Sequence, residues 1–138
     1  MIILDTNVIS AAMANDPPEP VRRWLRFAPA DELYTTAITE AEMRYGAYRM
    51  SLYRKGRELE EIVNRIFSVR FADRVLPFDS GAAKELPAIL VSIQRDMRSF
   101  SVSDAQIAAI ARSNHATIAT RDYGFEHSGV PLIDPWNT

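Results

Sequence analysis

Short apolar runs alternate with longer amphipathic ones along this chain. Ile2-Ile3-Leu4 is wholly apolar and ends at Asp5, as expected of a strand buried on both faces of a sheet. Residues 8–14 read as a brief helix broken at Pro17-Pro18, and a second helix over 20–27 carries Val21, Trp24 and Leu25 behind an early proline. Leu33-Tyr34-Thr35-Thr36 is the second strand. Thr39 then opens a helix to about residue 53, with Met43, Ala47 and Met50 on one side. The clearest helix follows, because Leu59, Ile62, Val63, Ile66 and Phe67 recur at helical spacing. Val75-Leu76-Pro77-Phe78 gives a third strand, and Asp79 caps what comes next. From 82 to about 97 the pattern is helical around Pro87, which must either start the main helix or kink it. A small-residue helix over 103–113 turns Ile107 and Ile110 inward, and 116–120 and 130–133 complete the strands.

Strands alternating with helices predict an α/β fold, with a mostly parallel sheet of four or five strands joined by right-handed crossovers. At 138 residues, without an internal repeat or linker, the chain reads as one domain over 1–138.

Composition narrows the chemistry. Apolar residues make up 47% and charged residues 25%, the balance of a soluble globular protein. Without cysteine there are no disulfides and no thiolate metal sites. Imidazole could come only from His115 and His127, so oxygen ligands are the well-stocked option. The start lacks the basic flank and long apolar run of a signal peptide, and no segment reaches transmembrane length, so the expected location is the cytoplasm. Net charge is −2, yet Arg44, Arg49, Arg54, Lys55, Arg57, Arg65, Arg70 and Arg74 face only four acidic residues within 44–74. Arginine outnumbers lysine fourteen to two, which suits bidentate phosphate or carboxylate contacts. A solvated helix face with arginine stems over apolar surface explains that stretch as well as a nucleic-acid patch does, and both readings stand.

Four carboxylates sit where an apolar segment gives way to a helix start or loop: Asp5, Glu42, Asp104 and Asp122. In an open α/β sheet such junctions collect outside the carboxyl ends of the strands. Each also has a structural role to fill. Asp5 could cap the next helix, although Asp5-Thr6-Asn7 offers more cap-competent residues than one helix start requires. Thr39-x-x-Glu42 has the form of a capping box, with Glu40 beside it facing solvent. Asp104 would lie in the first turn of a helix capped by Ser101 or Ser103, where the helix dipole favours acid. Asp122 could serve the turn before Tyr123-Gly124. Four carboxylates at one sheet edge would repel one another, and a hard divalent cation is the natural reason to assemble them. Ser101 and Ser103 have no histidine base in register, so a nucleophilic triad is unsupported.

Ile3-Leu4-Asp5-Thr6-Asn7-Val8-Ile9-Ser10, the stretch from Thr36 to Gly46, Ser103-Asp104-Ala105-Gln106-Ile107-Ala108-Ala109, Ala119-Thr120-Arg121-Asp122 and the closing Val130-Pro131-Leu132-Ile133-Asp134-Pro135-Trp136 together resemble the PIN-domain ribonucleases, in particular the VapC toxins and their FitB-like relatives. The resemblance implies a three-layer α/β/α sandwich. It implies a catalytic acidic site at Asp5, Glu42, Asp104 and Asp122, supported by Thr6 and Thr120, to which Asn7 beside Asp5 adds a third supporting polar residue. It further implies Mg²⁺, alternatively Mn²⁺, in the acidic pocket, a homodimer, inhibition by a small cognate antitoxin, and operator DNA reached only through that antitoxin. The sequence departs from many relatives in lacking a glycine over Asp96-Met97-Arg98-Ser99-Phe100, where Arg98 remains a candidate to face substrate, and in carrying Pro87.

With that resemblance, the expectation is a Mg²⁺-dependent endoribonuclease in which Asp5 and Asp104 bind the metal most directly and Glu42 and Asp122 contribute directly or through water. Arg44, Arg49 and Arg121 are candidate phosphate contacts on RNA with an accessible single-stranded segment. The alternative is a catalytically silent module that acts with its partner in DNA-bound repression. A phosphoacceptor domain would want a lysine late in the chain, and Lys55 and Lys84 are the only two.

Overall fold

The computed structural model describes residues 1–53, 56–95 and 100–138. Strands β1 (Ile2–Leu4), β2 (Leu33–Thr36), β3 (Val75–Leu76), β4 (Thr117–Ala119) and β5 (Leu132–Ile133) form one sheet in the order β3-β2-β1-β4-β5. Every pairing is parallel, and β1 holds the centre, with Ile2 opposite both Leu33 and Thr117. The connections contain helices α1 (Thr6–Met13), α2 (Glu19–Phe27), α3 (Ala37–Ser51), α4 (Gly56–Arg65), α5 (Ser80–Arg95) and α6 (Val102–Ser113). Chain order runs outward from β1 to β3, then jumps back to β4 on the other side of β1. The topological switch therefore lies between β1 and β4, where an open α/β sheet leaves a crevice at its carboxyl edge.

Successive strand residues point to opposite faces, and the two buried clusters follow that alternation. Ile3 and Ile118 pack with Ile89, Ile107, Ile110 and Phe125 on the α5–α6 side. Leu4 and Ala119 pack with Val8, Ile9, Val21, Ala47, Val63 and Phe67 on the α1–α4 side. The sheet is thus the middle of three layers, which explains why its strands read as apolar runs. Each fully buried Ile, Leu or Phe contributes about 1.5–3 kcal/mol relative to exposure.

Helix starts differ from expectation for one recurring reason: the last polar residue of a strand or loop caps the helix directly. Asp5 Oδ1 accepts from the Thr6 backbone N–H at 2.8 Å, so α1 begins at Thr6 and not at residue 8. Thr36 ends β2 and accepts from the Thr39 N–H at 3.1 Å, so α3 begins at Ala37. With Thr36 as the cap, Thr39 is not one, and Glu42 lies beyond the first turn with no capping box to close. Ser101, not Ser103, caps α6 by accepting from the Asp104 N–H at 3.0 Å. Asp79 Oδ1 accepts from the Ala82 N–H at 3.0 Å at the head of α5.

α5 runs unbroken through Pro87, so that residue does not start the helix. It sits in the interior and withholds one N–H from the helical ladder. The helix predicted over 59–67 ends as α4 at Arg65 and continues as a π-turn over Ile66–Arg70, closed by Phe71 N–H to the Ile66 carbonyl at 2.9 Å. A 3₁₀ segment over Tyr123–Ser128 was not anticipated; it ends at Gly129, whose φ of 75° is the left-handed conformation glycine adopts freely. Arg54 and Lys55, the glycine-free turn at 96–99 and its Arg98 lie outside the described residues. Among the described residues, no helix is long and apolar enough to cross a membrane.

Candidate active site

Asp5 leaves the carboxyl end of β1 and is 4% exposed. Its backbone N–H continues the sheet to the Ala119 carbonyl at 3.0 Å. Beyond the cap to Thr6, its Oδ2 accepts from the Thr120 hydroxyl at 2.8 Å and from Asn7 Nδ2 at 3.2 Å. Thr120, at the end of β4, is a hub: the same Oγ1 accepts from Asn7 Nδ2 at 3.1 Å and from the Asp122 N–H at 3.0 Å. The switch between β1 and β4 is therefore spanned by one network joining Asp5, Asn7, Thr120 and the Asp122 backbone.

The other carboxylates arrive from separate elements. Asp104 sits in the first turn of α6, where the buried face Ala105, Ile107, Ala108 and Ala109 fixes the helix. Glu42 is exposed in the second turn of α3, six residues past the cap. Asp122 follows β4 at an exposed position, and its Oδ1 accepts from the Gly124 N–H at 2.9 Å, so the expected turn role is filled.

Electrostatics shows that the four share one neighbourhood. Burial lifts the Asp5 carboxyl to about 6, against hydrogen bonds from Thr120 and Thr6, with the charges of Asp104 and Asp122 adding to the rise. Burial also raises Asp104, opposed by the Ser101 hydroxyl and reinforced by Asp122. Glu42 is raised by burial, then by Asp104 and Asp5. Like charges crowded at one edge destabilise their own ionisation, the condition a cation relieves.

The donor set is carboxylate oxygen, the chemistry of Mg²⁺ or Mn²⁺. Among the described residues, no three His, Cys, Asp or Glu side chains converge as a ready cage. A cation that keeps several of its waters does not need one, since one or two carboxylates suffice. Asn7 Oδ1, buried beside Asp5 without a hydrogen-bond partner, is an acceptor that such water would satisfy. The residues present thus fit a hydrated hard cation.

The three arginines differ in setting. Arg44 is tied down: its Nε donates to Glu40 at 2.6 Å, its Nη1 to Asn64 at 3.4 Å, and its guanidinium lies 5.8 Å from the Phe67 ring. It pins α3 to α4, and Glu40, expected to face solvent, is half-buried in that pair. Arg49 stacks on Tyr45 at 5.8 Å. Arg121, beside Asp122, stacks on Trp136 at 4.6 Å. Two features escaped sequence reading. A hydroxyl chain runs from Thr6 to Thr39 to Thr36, each step 3.3 Å, and joins the heads of α1 and α3. Tyr123, Asp134 and Trp136 brace the Asp122 loop. Closely spaced hydroxyls in Thr-Thr-x-x-Thr at a strand end could have signalled the first; nothing local signals the second.

A family model described as PIN domain matches residues 2–130. The chain belongs to the PIN-domain family. Relatives match nearly all of it: Plasmid stability protein StbB of Pseudomonas syringae pv. tomato is 38% identical over 137 residues, covering 99% of each chain. Toxin FitB of Neisseria gonorrhoeae is 36% identical over 138 residues, covering 99% of each, and VapC ribonuclease Y4jK of Sinorhizobium fredii is 33% identical over 137 residues, covering 99% of this chain and 98% of its own. Among solved structures, FitAcB from Neisseria gonorrhoeae superposes with a TM-score of 0.86 at 34% identity over the whole of both chains. FitAB bound to an IR36 DNA fragment gives the same TM-score at 35% identity, covering 100% of this chain and 97% of that one. The five-stranded parallel sheet between helices is the architecture expected of a PIN-like fold.

Proposed function

We propose that this PIN-domain protein is a metal-dependent endoribonuclease and the toxin of a toxin–antitoxin pair. The observation that carries the reading is the buried Asp5 carboxylate, lifted to about 6 and held at the β1–β4 switch within electrostatic reach of Asp104, Asp122 and Glu42. A whole-length relative named as a VapC ribonuclease supports the activity, and one named as toxin FitB, solved as FitAcB and as DNA-bound FitAB, supports the biological role. By the same analogy the partner is a small cognate antitoxin, operator DNA is reached through it, and the working unit is a homodimer.

Asp5 and Asp104 would hold Mg²⁺, or Mn²⁺ in its place, with Glu42 and Asp122 reaching its waters. A bound divalent cation lowers the pKa of water and neutralises charge on the scissile phosphate. Thr120, Thr6 and Asn7 fix the Asp5 oxygens, so that a ligand on a central strand cannot swing away. Glu42, its proton affinity raised by burial and by its acidic neighbours, accepts a proton at its carboxylate from the attacking water. Asp122 shapes the opposite wall. The carboxyl edge of the sheet admits a single-stranded or looped RNA segment whose phosphate is splayed toward the carboxylates. Arg121 and Arg49 would contact phosphate, whereas Arg44 is held in the α3–α4 contact.

The test is cleavage of an RNA panel by the antitoxin-free protein, with Mg²⁺, with Mn²⁺ and with chelator, comparing wild type with Asp5→Asn and Asp104→Asn. Internal cuts that need metal and vanish in both variants are expected. Equal products from all three proteins would sink the assignment. No cleavage by wild type, combined with tight operator binding alongside the antitoxin, would favour the silent binding module.

A further inference from the structure

Asp122 lies in an exposed stretch, Arg121-Asp122-Tyr123, between the end of β4 and the 3₁₀ segment that Tyr123 opens. Both neighbours of Asp122 are nevertheless anchored to the C-terminal tail. The Tyr123 hydroxyl donates to Asp134 Oδ2 at 2.9 Å, and the Arg121 guanidinium carbon lies 4.6 Å from the centre of the Trp136 ring. The tail is itself fixed. Asp134 Oδ1 accepts from the Trp136 N–H at 2.9 Å, Asp134 Oδ2 accepts from Asn137 Nδ2 at 2.6 Å, and Pro135 between them is fully buried. Trp136 is therefore a rigid surface and not a loose end.

An arginine stacked on an indole keeps its N–H edge free while its plane is fixed. Among the described residues Arg121 makes no ion pair at contact distance and donates no hydrogen bond; its charge acts on Asp134, and its N–H edges stay available to a phosphate. Arg121 follows Thr120, whose hydroxyl donates to Asp5, and precedes Asp122, so its backbone leaves the sheet beside the acidic pocket. A polyanion approaching an acidic edge needs a cation at the rim, and a guanidinium already ordered loses less freedom on binding phosphate than a free one.

We propose that Trp136 is a positioning residue that holds Arg121 as a preset clamp for a backbone phosphate of single-stranded RNA beside the acidic pocket. The proposal rests on the nuclease reading for its substrate, but it concerns binding and can be measured without cleavage. The affinity of the full chain for a single-stranded RNA oligonucleotide is measured in chelator across a salt series. Wild type is compared with Arg121→Ala, Trp136→Leu, their double variant and Trp136→Phe, and thermal unfolding confirms that each folds.

Each of Arg121→Ala and Trp136→Leu should weaken binding about tenfold and flatten the salt slope by about 0.7, the share of one phosphate contact on a single strand. The double variant should be no weaker than either single one within about twofold, because both remove one interaction. Trp136→Phe should stay within about threefold of wild type, since phenylalanine also offers a ring face. If Trp136→Leu does not fold, Trp136→Met, which keeps apolar bulk without a ring face, takes its place alone and combined with Arg121→Ala.

Multiplying losses in the double variant, weaker Trp136→Leu binding at an unchanged salt slope, or unchanged binding throughout would overturn the clamp. So would a fall in kcat without a change in KM in a parallel cleavage assay. Metal-dependent cleavage by wild type with unaltered Arg121 variants rejects the clamp and leaves the nuclease standing. Tight, Arg121-dependent binding without any cleavage does the reverse, and no RNA binding by wild type rejects both.

Discussion

Replacing Asp5 by asparagine should stabilise the metal-free protein while abolishing its chemistry. Asp5 is 4% exposed, and its carboxyl is raised from 3.8 to about 6 in the fold. A folded pKa above the unfolded value means that the fold prefers the protonated acid. That preference contributes fully below about pH 4 and is lost as the pH rises through about 6. At about pH 8 the ionised form carries a penalty of about 3 kcal/mol, because each pH unit separating the folded from the unfolded value is worth about 1.4 kcal/mol. Asparagine removes the charge and keeps an acceptor for the Thr6 N–H. Its amide faces Thr120 Oγ1, which already accepts from Asn7 and Asp122 and loses its own acceptor, returning about 1–2 kcal/mol. The net gain is about 1–2 kcal/mol, or roughly 3–7 °C in Tm for a chain of this size. Calorimetry in chelator should show Asp5→Asn melting above wild type at about pH 8, with the difference closing or reversing near pH 4. A divalent cation at about a hundred times its Kd should then raise wild type by about 2.7 kcal/mol and leave the variant unmoved. A variant less stable than wild type at pH 8, or a difference that ignores pH, would refute the picture of a buried, penalised charge.

Thr120→Val removes a hydrogen bond that lowers Asp5, so the Asp5 pKa climbs further; the acid limb of the pH–rate profile for RNA cleavage should move up by about one pH unit, and more than its loss at high pH would show. Thr36→Ala deletes the cap of α3 and the hydroxyl link to Thr39, and urea unfolding should register about 1 kcal/mol of destabilisation; an unchanged midpoint would return the cap to Thr39. Gly129→Ala forces a side chain onto a left-handed backbone of φ 75°, and thermal unfolding should report about 1 kcal/mol lost.

The strands were legible because a strand covered on both faces has no polar partner to alternate with: Ile2-Ile3-Leu4 and Thr117-Ile118-Ala119 carry the period of the core itself. Helix starts were misplaced by two or three residues wherever a strand-end residue also capped. Thr36 is the clearest case, being the last residue of β2 and the cap of α3 at once, and neither local propensity nor spacing separates it from Thr39. That error mattered for Glu42, whose capping box disappears once Thr36 takes the cap. Pro87 could not be placed because a proline tolerated mid-helix depends on tertiary packing around it, here next to the buried Ile89. The Asp5–Thr120 bond and the brace from Tyr123 and Trp136 join residues far apart in sequence or on separate loops, and no local pattern encodes either.

β1 lies at the centre of the sheet, yet it is made first and its second neighbour, β4, is among the last strands to be made. Until residues 117–119 dock against Ile2-Ile3-Leu4, β1 is an edge strand with one row of backbone groups unpaired. During that interval Asp5 lacks Thr120, and Asp122 has no strand to follow. The acidic pocket is therefore complete only once β1 has paired with β4, which couples a long-range strand pairing to the assembly of mutually repelling charges. A fragment ending before β4 should consequently fold incompletely and hold Asp5 near its ordinary acidity, which carboxyl titration by NMR can read. Completion of the acidic site is then a property of strand order, since it waits on the pairing of the first strand with the fourth.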